Sequence, residues 1–343
     1  MRMARFGRDR RIGSGDQPDA VLMVDRLTKT YRRGASPAND GISLQVGRGE
    51  VFGLLGHNGA GKTTLVSQII GLARPDAGRI LIGGRDAVAD PGAARRACSI
   101  QPQAQMPMTG LTPRRAMELV GRFRGGSAAD ARRRAATLAG SLDIEEWLDT
   151  DCSRLSGGVR RLTTFAMAAV VPGSLVILDE PTNDVDPVRR RLLWAQVRAL
   201  ADGGSAVLLV THNVLEAERA VDRLAVLDHG RVVADGTPGE LKSAIAADVR
   251  LELVLEPGVA EPPLPTYVRS VSRAGHRVSA IVPGRLSGEA AGWAQGLRQA
   301  GVVEEFGIAA ATLEDAYVAL LGRPAERNTV MDEGEEVSDV AAA

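Results

Sequence analysis

The stretch VFGLLGHNGAGKT, residues 51–63, decides the fold of this chain of 343 residues. VFGLLG (51–56) is an apolar strand, and GHNGAGKT (56–63), here called the phosphate-binding loop, matches the pattern Gly, four residues, Gly-Lys-Ser/Thr. Such glycines let backbone N–H groups curl around phosphates, while the lysine reaches the β- and γ-phosphates and the next hydroxyl holds Mg²⁺. A glycine turn without a ligand is the alternative. The strand before the loop and the helix expected over 62–72 favour phosphate binding.

The sequence therefore predicts a nucleotide site at this loop and at the start of the helix that follows it. Its candidate ATP-binding residues are Gly56, Asn58, Gly59, Gly61, Lys62, Thr63 and Thr64. Thr63 is also a candidate Mg²⁺ ligand.

A second element, VILDE (176–180), is a buried strand that ends in two carboxylates. Asp179 is placed to hold Mg²⁺, directly or through water, and Glu180 to act as general base on an attacking water. The alternative is a strand that merely ends in solvated acids. Next to a phosphate-binding loop, a cation that compensates both charges is the better interpretation.

Short apolar strands alternate with helical stretches over 21–245, which predicts an α/β domain with a largely parallel sheet. Between 104 and 155 the pattern is helical only, with helices expected at 113–123, 128–142 and 143–149, and we predict a helical subdomain inserted there.

The two ends and the C-terminal part differ in character from this core. Residues 1–20 are expected to be a disordered basic arm and 323–343 a disordered acidic tail. Residues 247–322 predict a small α+β domain with a hairpin near Gly275 and helices around 287–300 and 313–321. Thr312 and Asp315 form a capping pair for the last helix.

Composition limits the function classes. The 42 Lys and Arg balance the 42 Asp and Glu, so net charge gives no reason to expect nucleic-acid binding. No apolar run approaches the ~20 residues of a membrane helix, and no signal peptide is apparent. Two distant cysteines, Cys98 and Cys152, favour free thiols over a disulfide. We expect a cytoplasmic protein.

Further motifs follow in an order that resembles the ABC ATPases. The signature segment LSGGVRR (155–161) is similar to their LSGGQ sequence, EPTNDVDP (180–187) to their D-loop, and TH (211–212) to their switch histidine. QPQ (101–103) resembles the Q-loop, and Tyr31 the aromatic residue that stacks on adenine. LAVLDHGRVVADGTPGEL, residues 224–241, is similar to their closing strand pair. The resemblance covers about 21–242 and implies a P-loop NTPase of ABC type.

The resemblance also implies a mechanism that needs two chains. In the family, the signature segment contacts the γ-phosphate bound by a second chain, a role that falls here to Ser156, Gly157 and Gly158. Each motif occurs once, so a head-to-tail homodimer with two ATP molecules is expected. His212 would hold the γ-phosphate and water, and Gln103 would contact Mg²⁺ or water.

Two positions depart from the family pattern. Val159 replaces the usual glutamine outside the phosphate contacts, and we expect little loss from this change. Asp184 stands where the D-loop usually has a small residue, at the expected dimer interface, and its effect is left open.

The resemblance implies a transport ATPase at the inner face of the cell membrane, partnered by a separate integral-membrane permease that docks on the helical subdomain. ATLEDAYVALLG (311–322) loosely resembles the C-terminal region of bacterial daunorubicin-resistance-type export ATPases, which favours export of drug-like, antibiotic or lipid-like substrates. The alternative is a soluble non-transport ABC ATPase with a regulatory or ribosome-associated role. Ribosome-bound relatives normally carry two ATPase cores, and DNA-repair relatives a long coiled coil, neither of which is present here.

Overall fold

The computed structural model describes residues 20–32, 34, 36–104, 106–243 and 247–321. The acidic tail predicted at 323–343 and all but the last residue of the predicted basic arm lie outside these ranges. The chain divides into two compact units between Lys242 and Ser243.

The first unit contains ten strands and eight helices within the described ranges. The strands are β1 (Ala20–Lys29), β2 (Asn39–Gly47), β3 (Val51–Leu55), β4 (Ala77–Ile82), β5 (Arg85–Asp86), β6 (Cys98–Gln101), β7 (Leu175–Asp179), β8 (Ala206–Thr211), β9 (Arg223–Asp228) and β10 (Arg231–Gly236). The helices are α1 (Lys62–Ile69), α2 (Pro91–Ala97), α3 (Pro113–Phe123), α4 (Ala128–Ser141), α5 (Gly157–Ala169), α6 (Pro187–Asp202), α7 (Val214–Ala220) and α8 (Pro238–Ser243).

A six-stranded sheet forms the centre of this unit, in the order β10-β9-β3-β8-β7-β6. It is parallel except for the antiparallel β9–β10 pair, as the sequence predicts. Successive residues of β7 pack into different cores, Ile177 on one face and Leu178 on the other. Both faces are covered, which explains why this strand is apolar throughout.

A separate antiparallel sheet, in the order β2-β1-β4-β5, was not predicted. Its inward residues, such as Leu22 and Ile80, share one apolar core with α1 and with one face of the six-stranded sheet. This sheet therefore closes the side of the parallel sheet on which α1 lies.

Two helices differ from the prediction, one in the helical region on the opposite face of the six-stranded sheet and one that follows the phosphate-binding loop. The helix expected at 143–149 is only a 3₁₀ turn, Glu145–Trp147, because Asp143 adopts a left-handed φ of 56° that breaks α4 from it. Helix α1 ends at Ile69 rather than at residue 72, because the N–H of Leu72 donates to the carbonyl of Ser67 (2.8 Å) and closes the helix end.

The second unit is a four-stranded antiparallel sheet with two helices. Its elements are β11 (Asp248–Leu255), β12 (Ser270–Ala274), β13 (Arg277–Pro283), α9 (Ser287–Gln299), β14 (Val303–Ala310) and α10 (Leu313–Leu321), with the sheet order β12-β13-β11-β14. The predicted hairpin at Gly275 and both helices are present, whereas β14 was missed. Asp315 accepts from the N–H of Thr312 (2.8 Å) and its own N–H donates to the Thr312 hydroxyl (3.3 Å), which confirms the capping pair.

Cys98 and Cys152 are both free and buried, and burial raises the pKa of the Cys98 thiol to about 12, so it is an unreactive core residue.

Within the described ranges, no helix has both the length and the apolar character needed to cross a bilayer.

Candidate nucleotide site

The phosphate-binding loop lies at the carboxyl end of β3, between that strand and the first turn of α1. Gly61 has a φ of 107°, and a methyl group there would lie 2.2 Å from the carbonyl oxygen of Ala38. Only glycine fits such a position. A glycine loop that runs into a helix N-terminus in this way is the arrangement that binds phosphates.

Lys62, the first residue of α1, turns its side chain back into this loop. Its Nζ donates to the carbonyl oxygens of Gly56 (2.5 Å) and His57 (3.1 Å), and only 8% of the residue is exposed. Burial lowers the pKa of Lys62, while the carboxylates of Glu180 and Asp179 oppose that shift. The lysine is therefore held among loop carbonyls, at the place where an anion would bind.

Asp179 and Glu180 stand at the end of β7, two strands from β3 in the sheet order. Both are buried, and burial together with the neighbouring Glu180 raises the pKa of Asp179 to about 6, against the attraction of Lys62. Glu180 has a left-handed φ of 49°, a strained conformation of the kind that concentrates at functional sites. A divalent cation here would offset the cost of two adjacent buried carboxylates, so the site fits Mg²⁺.

Strand β8 lies between β3 and β7, and its last residue, Thr211, and the residue after it, His212, fix Glu180. The Thr211 hydroxyl donates to Oε2 of Glu180 (3.0 Å), and the His212 N–H donates to Oε1 (2.9 Å). The His212 Nδ1 lies 2.6 Å from the same Oε1. These contacts orient the imidazole and leave Nε2 as the ring nitrogen available to a ligand.

A buried polar pair supports the loop from behind, and sequence reasoning missed it. Asn39, fully buried, donates to the carbonyl of Gly61 (3.0 Å), and Gln68 of α1 donates to Oδ1 of Asn39 (2.6 Å). Asn39 precedes Asp40 and Gly41 in the sequence, a composition typical of turns, so no signal distinguished it.

The Q-loop is held by an arginine of the signature segment. Arg161 donates to the carbonyls of Pro102 (3.0 Å) and Gln103 (2.8 Å), while its own carbonyl accepts from the buried Gln101 (3.2 Å). The side chain of Gln103 is exposed. Of the two glutamines, Gln101 is thus structural and Gln103 is open to ligands.

The signature segment begins α5 at the position expected of an anion-binding helix end. Ser156 is exposed and caps the helix through the N–H of Val159 (3.3 Å), while Val159 itself is buried in the core under α5. Asp184, with a left-handed φ of 64°, lies against the same segment. A methyl group at Gly158 would lie 2.5 Å from the carbonyl oxygen of Asp184.

Comparison with known proteins agrees with this geometry. The profile of the ABC transporter family matches residues 39–183. The daunorubicin/doxorubicin resistance ATP-binding protein DrrA of Streptomyces peucetius is 36% identical over 330 residues, which cover 93% of this chain and 98% of that protein. The chain belongs to the ABC transporter family.

Other relatives of this ABC ATPase subunit place it in the same group. The Nod factor export ATP-binding protein I of Paraburkholderia xenovorans is 40% identical over 68% of this chain and 76% of that protein. A solved ATP-binding subunit of an ABC transporter is similar in structure, with a TM-score of 0.61 and 30% identity over 65% of this chain and 92% of that one. The α/β ABC fold and the ATPase activity predicted from the motifs are those of the family.

Within the described part of this ABC ATPase, four of the predicted site residues lie together and two others lie apart from them. Lys62, Asp179, Glu180 and His212 interact with one another at the carboxyl ends of β3, β7 and β8. Tyr31 and Ser156 make no contact with this group in the described residues. Tyr31 is 63% exposed, and the Nζ of Lys29 lies 5.6 Å from the centroid of its ring. Tyr31 and Ser156 both face solvent, where an incoming molecule can reach them.

Proposed function

We propose that this ABC subunit hydrolyses MgATP as a head-to-tail homodimer and drives export of a drug-like, antibiotic or lipid-like compound through a separate integral-membrane permease. The convergence of Lys62, Asp179, Glu180 and His212 beside the phosphate-binding loop carries the proposal. One ammonium, two carboxylates and one imidazole supply what phosphoryl transfer to water requires.

Each residue has a proposed role. The loop amides and Lys62 bind the phosphates, and the exposed Tyr31 stacks on the adenine. Thr63, Gln103 and Asp179 would hold Mg²⁺, whose charge offsets that of the phosphates. Glu180 accepts the proton of the attacking water, and His212 holds the γ-phosphate and water in line.

A second chain would complete the site. The exposed Ser156, with Gly157 and Gly158, stands at the N-terminus of the 13-residue α5, where the helix dipole favours an anion. Because this segment has no described contact with the Lys62–Glu180 group, we assign it to the γ-phosphate bound by the partner chain.

The names of the relatives support export. One is named a daunorubicin/doxorubicin resistance ATP-binding protein and another a Nod factor export ATP-binding protein, and the first match extends through the second unit as well as the ATPase unit. We propose an ATPase domain at 21–245, a permease-docking helical subdomain at 104–155 and an accessory α+β domain at 247–322. The dimer would work at the inner face of the cell membrane.

Glu180→Gln tests the hydrolytic role. The amide keeps an oxygen to accept from His212 but loses the base, so we expect ATP binding to persist and turnover to fall about 10²–10⁴-fold. The control is Glu50→Gln, a poorly exposed glutamate whose carboxylate accepts from the N–H of Gly47, at the opposite end of β3. Near-normal hydrolysis by Glu180→Gln would refute the assignment of Glu180.

Purification from native membranes tests the transport role. Tagged Glu180→Gln chain, held with ATP in mild detergent, is expected to bring down one polytopic membrane protein, and the Glu50→Gln chain without ATP to bring down less of it. Recovery of ribosomal or other soluble partners alone would instead support the non-transport alternative and leave the ATPase assignment intact.

A further inference from the structure

His57, the second residue of the phosphate-binding loop, faces the turn between β9 and β10. Its Nε2 lies 2.9 Å from Oδ1 of Asp228, and its ring lies 5.5 Å, centroid to centroid, from the ring of His229. One ligand atom of each of the three residues lies within 4.8 Å of the other two. Two imidazoles and a carboxylate therefore meet beside the loop.

The hydrogen bonds of His57 indicate that a cation belongs in this cluster. Its Nδ1 lies 2.7 Å from the carbonyl oxygen of Asn58, which can only accept, so Nδ1 carries the ring hydrogen. In a neutral imidazole, Nε2 then presents a lone pair to the Asp228 carboxylate, which also only accepts. Two acceptors 2.9 Å apart require a proton or a metal ion to compensate them.

The arrangement matches that of a metal-binding histidine. Such a residue usually donates its second ring N–H to a carbonyl or carboxylate, which fixes the tautomer and orients the ring. The His57–Asp228 and Asp228–His229 ligand-atom distances of 2.9 and 3.8 Å lie on either side of the ~3.4 Å between ligands of a tetrahedral zinc ion. Mg²⁺ and Ca²⁺ prefer sites made of oxygen alone.

The cluster lies where a bound ion would join two segments. The turn already contacts the loop through its backbone, because the N–H of Gly230 donates to the carbonyl of Ala60 (3.0 Å). The carbonyl of His57 accepts from Lys62, so the residue that would bind the ion also touches the phosphate-binding lysine.

We infer that His57, Asp228 and His229 bind one divalent transition-metal ion of the zinc class, which ties the phosphate-binding loop to the β9–β10 turn. Water takes the remaining coordination position. The three side chains are between 21% and 67% exposed, so the ion enters directly from solvent.

The test uses the full chain, freed of metal and nucleotide and kept in excess Mg²⁺ to saturate oxygen-only sites. Titration calorimetry with Zn²⁺ should show one saturable ion per chain, and saturation should raise the Tm by about 5 °C. Cobalt(II) should give the absorption bands of a four-coordinate nitrogen–oxygen site. Because nucleotide is absent, the result is independent of the proposed ATPase mechanism.

Two variants locate the ion. His229→Asn keeps a side chain that tolerates the left-handed φ of 44° at this position, and Asp228→Asn removes the carboxylate charge. Each should weaken Zn²⁺ binding at least about tenfold. His229→Asn should hydrolyse ATP at the native rate when no zinc is added.

His276→Gln, at the turn between β12 and β13 of the second unit, is the control and should bind zinc like the native chain. The absence of a saturable zinc site, or zinc binding that survives unchanged in both the His229→Asn and the Asp228→Asn variants, would overturn the inference. A proton on His57 would then be what satisfies Asp228.

Discussion

At the scale of single residues, the two adjacent buried carboxylates of the site repel each other, and a bound cation would offset this repulsion. Asp179 is 7% exposed and adjoins Glu180, and these surroundings raise its pKa from 3.8 to about 6. Between these two pH values the folded chain binds more protons than the unfolded chain, so stability falls as pH rises through this window. At neutral pH the charged Asp179 costs on the order of 3 kcal/mol.

Asp179→Asn should remove this dependence. In EDTA and without nucleotide, we expect the variant to gain Tm relative to the native chain as pH rises from about 4 to about 6. Thermal melts at several pH values measure the difference. Asp202→Asn, the same change at an exposed carboxylate that ends α6, should show no such trend. A constant Tm difference across the pH range would contradict the burial argument.

At the scale of elements, α5 depends on a residue with two proposed tasks. Ser156 caps the helix in its own chain and is assigned to the γ-phosphate of the partner. Substitutions can separate these tasks, because aspartate caps a helix as well as serine does, whereas its charge repels a phosphate.

Ser156→Ala should lower the free energy of unfolding by about 1 kcal/mol through loss of the cap. Ser156→Asp should retain native stability yet lose most ATPase activity. Chemical denaturation and steady-state ATPase assays measure the two effects. A Ser156→Asp chain with native activity would show that the serine contacts no phosphate. Thr312→Ala, which removes a comparable cap from α10, should affect stability alone.

Elements defined by local sequence were predicted well. Strands β3 and β7 match their predictions within one residue at each end, because strands buried on both faces are apolar throughout and run into a motif. The pairing of β1 with β4 was missed, because its partners, from Thr28–Ala77 to Leu22–Ile82, are 49 to 60 residues apart and the pairing depends on the shared core. Strand β14 (Val303–Ala310) was missed because most of its residues are exposed, so its sequence lacks the apolar run that marks a buried strand.

The site shows the same division between local and distant information. Lys62, Asp179 and Glu180 were predicted because each lies within a short motif. The role of Arg161 could not be predicted, because its partners at Pro102 and Gln103 come from a segment nearly sixty residues earlier. The left-handed φ of Glu180 likewise depends on packing around the end of β7.

At the scale of the whole molecule, the proposed dimer should depend on nucleotide. Glu180→Gln with MgATP is expected to elute as a dimer in size-exclusion chromatography with light scattering, and as a monomer without ATP. The double variant Glu180→Gln with Ser156→Asp should remain monomeric. The introduced carboxylate of each chain would face the negatively charged γ-phosphate bound by the other chain and repel it. A Glu180→Gln chain that stays monomeric at saturating ATP would contradict the two-chain site.

The close packing of Gly158 against the carbonyl of Asp184 has a consequence for interpreting natural variation. A side chain at Gly158 would clash within a single chain, before any partner or nucleotide arrived. Selection would therefore retain this glycine even in a descendant that had lost ATP hydrolysis. Finding this glycine in a degenerate paralogue would therefore show only that the chain can fold. Whether such a paralogue still hydrolyses ATP would be judged from the residues at Glu180 and His212.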